Sequence, residues 1–238
     1  MDPGDETATL PRDEAQHLTK VLRLGVGDTV AVFDGRGHEF LARVASAAGR
    51  DVRVQLVSRV EAAAESGVAL TLAQAVLKGD KMDDVIRDAV MLGVSAIQPI
   101  VTRRTEVTVA ALMKGARVDR WRRIALASVK QAGRAFMPEI RMPLTFEVLL
   151  DEPASALRLL LVEPGASAEV EHVSVLLKAP APADATIFVG PEGGWTEPEW
   201  SAAAARGVRL MTLGPRTLRA DAVPIAAISV LQFVWGDL

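Results

Sequence analysis

The 238-residue chain has no cysteine and only three histidines. Without cysteine there is neither a disulfide framework nor a thiolate metal centre. His17, His38 and His172 lie far apart with no HxxxH or HxH spacing. A metal site is therefore not expected, although carboxylates alone can hold magnesium. No stretch approaches the roughly 20 apolar residues of a membrane span. The start, Met1-Asp2-Pro3-Gly4-Asp5-Glu6, is acidic, unlike the basic start of a secretory leader. These absences predict a soluble, cytoplasmic protein with no membrane partner.

Half of the residues are apolar, enough to bury a core. The net charge of −3 hides a segregation. Residues 78–141 carry 13 Lys/Arg against 7 Asp/Glu, a net of +6, whereas the segments on either side are acidic. A basic middle suits a phosphate-binding face, and equally an ordinary solvated, Arg-rich helix such as Arg117–Arg123.

Residues 1–67 read as a small β-rich unit. Asp13 to Arg23 is predicted as a short helix, with His17, Leu18, Val21 and Leu22 at helical spacing. Thr29–Phe33, Glu39–Val44 and Asp51–Val57 read as strands, with Asp34-Gly35-Arg36-Gly37 as a hairpin turn, so a compact barrel or curled sheet is expected. Residues 58–67 read as a linker. From Val68 onward apolar runs alternate with helical patterns. Val68–Val76, Val94–Val101, Leu157–Val162, Thr186–Val189 and Val208–Leu213 are predicted strands. Helices are predicted from Lys78-Gly79-Asp80 to Gly93, over Arg117–Gln131, after Thr196 with Glu199 reaching back to it, and over Asp221–Val234. The alternation means an α/β domain with a largely parallel sheet over 68–238.

Two segments carry chemistry. Phe188-Val189-Gly190-Pro191-Glu192-Gly193-Gly194-Trp195-Thr196 runs from a buried strand through a glycine-rich loop into a capped helix, where an α/β fold places a ligand. It is no phosphate loop, because Gly-Lys-Ser/Thr is missing, and no dinucleotide fingerprint, because GxGxxG is missing. A tight strand-helix turn would read the same way. A bulky residue at Gly193 is expected to fill the surface on which a ligand approaches. Leu213-Gly214-Pro215-Arg216-Thr217-Leu218-Arg219-Ala220-Asp221 likewise leaves a strand and enters a helix. Arg216 and Arg219 are placed to hold a phosphate or to stabilise a developing anion. Asp221 reads as a helix N-cap or as a general base.

Together with Leu161-Val162-Glu163-Pro164-Gly165, these loops resemble the SPOUT-class family that methylates uracil N3 in 16S ribosomal RNA. The resemblance extends over nearly the whole chain. It includes His17-Leu18, Phe33-Asp34-Gly35, Lys78-Gly79-Asp80-Lys81-Met82-Asp83, Leu92-Gly93-Val94, Arg120-Trp121 and Gln131-Ala132-Gly133-Arg134. The chain departs from the family pattern at Met91 and Lys130, where the family has acidic residues. It departs again at Asp221-Ala222-Val223, where the family reads Glu-Thr-Ala.

The resemblance implies a PUA-like RNA-binding barrel over 1–67 and a SPOUT domain with a deep trefoil knot over 68–238. It implies that Leu161, Glu163, Gly190, Pro191, Glu192, Gly193, Gly194, Leu213, Gly214 and Leu218 hold S-adenosylmethionine. The partner would be small-subunit ribosomal RNA or the 30S particle. Arg216, Arg219 and Asp221 would serve catalysis. Arg12, Arg23, Lys78, Lys81, Arg103, Arg104 and Arg134 would contact RNA. A homodimer is expected through the apolar last helix, with Ile228 at its interface. A knotted methyltransferase acting on another nucleotide, a non-catalytic RNA-binding relative and an α/β enzyme for some other nucleotide are the alternatives.

Overall fold

The computed structural model describes residues 7–48, 51–166 and 170–238; the acidic start, Met1–Glu6, lies outside them. The chain divides into two compact units, residues 1–65 with 133–137, and residues 66–132 with 138–238.

The first unit contains β1 (Thr7–Thr9), α1 (Arg12–Gln16), β2 (Thr29–Phe33), β3 (Glu39–Ala48) and β4 (Asp51–Val60). Its antiparallel sheet has the order β1-β4-β3-β2. Phe40, Ala42 and Val44 of β3 and Val52 and Val54 of β4 alternate inward, onto Ala15, Leu18 and Val32. Register breaks at Leu41/Ala42 and Val44/Ser46 curl the sheet. The helix expected over 13–23 is α1 followed by a π-turn, His17–Val21, and it ends at Arg23 with φ 56°.

The hairpin at 34–37 is built around one carboxylate. Asp34 Oδ1 accepts the N–H groups of Arg36 (2.7 Å) and His38 (3.2 Å), and Oδ2 lies 2.8 Å from His38 Nδ1. Burial alone would raise the pKa of this group. The bonds from His38 and Arg36 outweigh burial and lower its pKa to about 2. Residues 133–137 pack on this hairpin. Met137 N–H donates to the Gly35 carbonyl and Gly37 N–H donates to the Ala135 carbonyl. Arg134, 7 % exposed, is held by Glu65. The motif residues Asp34-Gly35 and Gly133-Arg134 therefore serve the architecture of one unit.

The second unit contains β5 (Ala69–Ala75), α2 (Lys81–Met91), β6 (Ala96–Val101), α3 (Val109–Lys114), α4 (Arg117–Gln131), β7 (Glu139–Ile140), β8 (Leu144–Thr145), α5 (Phe146–Asp151), β9 (Leu157–Leu161), β10 (Glu171–His172), β11 (Asp184–Val189), α6 (Glu197–Ala205), β12 (Arg209–Thr212) and α7 (Ala222–Trp235). Its sheet is parallel in every recorded pairing, in the order β10-β12-β9-β11-β5-β6-β7 with β8 beside β6. Both faces of its central strands are covered, so they read as nearly unbroken apolar runs. On one face Ala73, Ala75, Ile100, Phe146, Leu160 and Phe188 form a cluster. Phe146 and Phe188 meet edge to face at 5.8 Å.

The short helices α3 and α5 were not expected. Each has six residues, too few to show a period, and each begins at a threonine (Thr108, Thr145) whose hydroxyl accepts an N–H of the first turn. α7 is the apolar last helix. Ile228 lies at 0 % exposure inside the unit. It belongs to the core and not to an outer face, which corrects the placement expected for it. The outward apolar side chains of α7 include Val230 and Phe233, the latter 68 % exposed.

Candidate cofactor and active site

Because β9, β11 and β12 are adjacent and parallel, the loops that follow them emerge at one end of the sheet. The chain makes β5, β6 and then β9, and later inserts β11 between β5 and β9. Such a reversal of strand order opens a crevice at the carboxyl ends. A cleft of about 280 Å³ lies there, near the lower limit for small-molecule sites (about 300 Å³).

Leu161, Glu163, Gly190, Pro191, Glu192, Gly194, Leu213 and Leu218 line it, and so do Arg216, Arg219 and Asp221. Residues up to 60 positions apart in sequence, Leu161 and Asp221, are thus brought to one place by strand pairing. Gly193 and Gly214 are not among the lining residues. A Cβ on Gly193 would lie 3.2 Å from Cβ and Cδ of Arg104, so this glycine accommodates a neighbouring side chain behind the loop. That corrects the expectation that it clears a surface for ligand.

The loop backbone is shaped by an indole. Trp195 Nε1 donates to the Leu161 carbonyl at 2.9 Å, and its ring packs 4.7 Å from that of Phe146. A Cβ on Gly190 would stand 3.1 Å from Trp195 Nε1, so only glycine lets the strand end pass under the fixed ring. Gly194, at φ +69°, makes the turn toward α6. Glu199, 2 % exposed, accepts the Thr196 N–H (2.8 Å) and hydroxyl (2.7 Å), as expected of a reach-back at a helix start. Its other oxygen accepts the Arg103 N–H at 2.8 Å.

Asp221 stands at the N-terminus of α7 but makes no side-chain cap bond. Instead its Oδ1 accepts from Arg219 Nε at 3.2 Å. That arrangement leaves the acid at the rim of the cleft and disposes of the capping reading. Arg216 is exposed.

The cations expected on RNA separate into groups. Arg12 and Arg23 are exposed in the first unit, and Arg103 is exposed in the second. Lys78 Nζ is paired with Glu106 at 2.6 Å, which raises the lysine pKa. Lys81 and Arg104 line the cleft instead. Lys81 Nζ donates to Glu192 Oε1 (3.0 Å) and Arg104 Nη1 donates to the Gly193 carbonyl (2.5 Å). Arg134 is buried against Glu65, so its guanidinium is committed inside the fold. At least seven of the 13 cations of residues 78–141 stand in ion pairs. Five of these pairs use carboxylates already counted in the +6; Glu192 and Glu65, from outside the segment, offset two more of its charges. Met91 and Lys130, two of the departures from the family pattern, do not line the cleft.

Sequence reasoning missed Trp195 and Trp200 as wall residues, and also Thr212 and Val223. An aromatic directly after a glycine-rich turn was the available signal for Trp195. Nothing local marks Trp200 or Val223. Among the described residues no group of three or more His, Cys, Asp or Glu is placed to hold a metal ion. No helix there is long and apolar enough to cross a membrane.

A family model for the RNA methyltransferase domain matches residues 64–232, and one for the RNA methyltransferase PUA domain matches residues 10–57. Ribosomal RNA small subunit methyltransferase E of Synechocystis is 33 % identical over 230 residues, 96 % of this chain and 73 % of that protein. The chain belongs to the ribosomal RNA small subunit methyltransferase E family. A methyltransferase of Legionella pneumophila, solved with bound S-adenosylmethionine, superposes with a TM-score of 0.85 at 31 % identity, covering 98 % of this chain and 93 % of that one. The family enzyme of Neisseria gonorrhoeae, also bound to S-adenosylmethionine, gives 0.82 at 29 %, covering 99 % and 94 %.

The cleft of this family member suits such a cofactor by its own chemistry. Leu161, Val162, Val189, Trp195, Leu213 and Leu218 give apolar walls for a flat heteroaromatic ring. Glu163 and Asp221 supply carboxylates for a cationic ligand, and loop backbone supplies amide hydrogen bonds.

Proposed function

We propose that this chain is an S-adenosylmethionine-dependent ribosomal RNA methyltransferase that modifies N3 of one uridine of 16S ribosomal RNA in the cytoplasm. The observation that carries the reading is the single cleft where three loops with apolar walls meet two arginines and an aspartate. When bound, the cofactor supplies an electrophilic methyl group on a sulfonium. Leu161, Glu163, Gly190 to Glu192, Gly194, Leu213 and Leu218 bind and orient it. Alignment of nucleophile and methyl supplies much of the rate.

Uracil N3 must lose its proton to become a good nucleophile. Arg216 and Arg219, at the cleft rim, favour the anion by facing its carbonyl oxygens. Asp221 is the candidate base, with Oδ1 engaged by Arg219 and Oδ2 available to take the proton. Arg12 and Arg23 in the first unit and Arg103 in the second are the exposed cations proposed to contact RNA phosphate. The deep trefoil knot, built from the loops at 161–165, 190–194 and 213–219, is part of the same reading. The adjacency of β12, β9 and β11 supports it.

Incubation with labelled cofactor and either 16S RNA or 30S particles, followed by nuclease digestion and mass spectrometry, tests the assignment. 3-Methyluridine at one position is expected. A different methylated nucleoside would reassign the target, and cofactor binding without transfer would make the chain a non-catalytic relative.

A two-fold dimer through α7 belongs to this proposal. Phe233 at 68 % exposure and Val230 at 36 % are costly on a free surface. Since the cleft loop at 213–221 runs directly into α7, an interface there would also steady Arg216 and Arg219. Phe233→Glu is expected to yield monomers in sedimentation and to lower methyl transfer together. A wild-type protein that sediments as a fully active monomer would remove the dimer from the proposal.

A further inference from the structure

The Gly190–Gly194 loop presents two acceptors, the Glu192 carboxylate and the Gly193 carbonyl. Each meets a cation from an element far off in sequence. Glu192 Oε1 accepts from Lys81 Nζ at 3.0 Å and from the Lys78 N–H at 3.2 Å. The Gly193 carbonyl accepts from Arg104 Nη1 at 2.5 Å. Lys78 and Lys81 follow β5, and Arg104 follows β6. Both strands run parallel to β11, so their carboxyl ends lie at the same end of the sheet as the loop.

Lys81 is not where its own element would place it. Lys81 is the first residue of α2, where the partial positive charge of the helix end disfavours a cation. Its position is explained by Glu192 and not by the helix. Arg104 lays its aliphatic stem against the loop, which is why residue 193 has no side chain. The Glu192 carboxylate responds to the arrangement. Burial would raise its pKa, but its own N–H, Lys81 and the Lys78 N–H outweigh burial and lower it.

We propose that Lys81 and Arg104 are positioning residues for methyl transfer. They hold the Gly190–Gly194 backbone in its cofactor-receiving shape, through Glu192 and the Gly193 carbonyl, instead of contacting RNA. The proposal rests on the S-adenosylmethionine reading of the cleft. The Lys81 and Glu192 side chains are 35 % and 24 % exposed, so each single bond is worth a modest factor. The two act on adjacent residues of one loop and reinforce each other.

The test uses Lys81→Met and Arg104→Met, which keep the stems and remove the donors, with Lys81→Arg and Arg104→Lys as rescues. Three quantities are read on the full chain: hydrogen exchange of the loop amides without ligand, S-adenosylmethionine affinity by calorimetry, and the salt slope of 16S RNA binding. Faster loop exchange and an affinity loss of about three- to tenfold are expected for each Met variant. Both rescues should recover most of it, and the salt slope should not move. Unchanged loop exchange in both Met variants overturns the proposal, as does a flattened salt slope with unchanged loop exchange, which would return these cations to RNA. If the wild-type chain binds no S-adenosylmethionine, the cofactor reading fails. Loop exchange in the ligand-free protein still decides whether the two cations hold the loop.

Discussion

The two loops that build the cleft are made differently. The 190–194 loop is fixed from three directions: Trp195 packs over Gly190, Lys81 holds Glu192, and Arg104 holds the Gly193 carbonyl. The 213–221 loop relies on its own residues. Thr212 Oγ1 donates to the Gly214 carbonyl at 3.1 Å, Arg219 pairs with Asp221, and the Ala222 and Val223 N–H groups turn back to the Arg219 carbonyl. A preset wall suits a ligand that is always the same small molecule. A wall with exposed arginines suits a polymer that must be admitted, aligned and released.

Alanine at one glycine of each loop puts this contrast to its hardest test. At Gly190 the new Cβ meets the indole of Trp195, which cannot yield because its Nε1 is bonded to Leu161 and its ring is packed on Phe146. Gly190→Ala is expected to lower S-adenosylmethionine affinity by about 100-fold, the scale of overpacking by 1–3 kcal/mol plus a lost hydrogen bond. At Gly214, φ +151° carries backbone strain, but nothing stands within 4 Å of a Cβ. Gly214→Ala should cost about tenfold or less. Calorimetry that ranked the two in the opposite order would break the distinction between a fixed and an adjustable wall.

Replacing the rim arginines sharpens the same contrast. Arg216→Ala and Arg219→Ala remove charge from the adjustable wall without touching the fixed one. Turnover should fall by about 10²-fold for whichever arginine faces the developing uracil anion, with cofactor affinity within about threefold of wild type. Parallel loss of cofactor affinity would place both arginines in cofactor binding.

Much of this was legible in the sequence. The parallel strands announced themselves as apolar runs, because a strand covered on both faces has no alternation to blur. Thr29–Phe33 and Arg117–Gln131 fall at the expected boundaries. The cleft residues of the three loops were legible as motifs. What was not legible depends on pairing across long sequence distances. Residues 133–137 return to the first unit by way of Gly35, Gly37 and Glu65, and no local pattern marks that return. Lys81 and Arg104 look like surface charge until strand order brings them beside residues 192 and 193. Ile228 and Phe233 are both apolar residues of one helix, and only packing separates a core position from an exposed one.

The smallest expected effect concerns pH. The Glu192 carboxylate has its pKa lowered in the fold, by its own N–H, by Lys81 and by the Lys78 N–H against the opposing effect of burial. A lowered folded value means that the contribution of this carboxylate to holding the loop is complete above the ordinary glutamate value of about 4.3. It is lost as the pH falls through the lower folded value. Lys78, Lys81, Arg104 and Glu106 are the charged groups around it. Between pH 7 and pH 5 wild-type cofactor affinity should therefore carry no slope from this group. Below about pH 4.3 the affinity should decline, and Glu192→Gln should show a weaker affinity at pH 7 without that decline. Titration calorimetry of both proteins across this range checks it. A Glu192→Gln variant that keeps the wild-type acid limb would show that the limb comes from another carboxylate of the cleft, with Glu163 and Asp221 the next to replace.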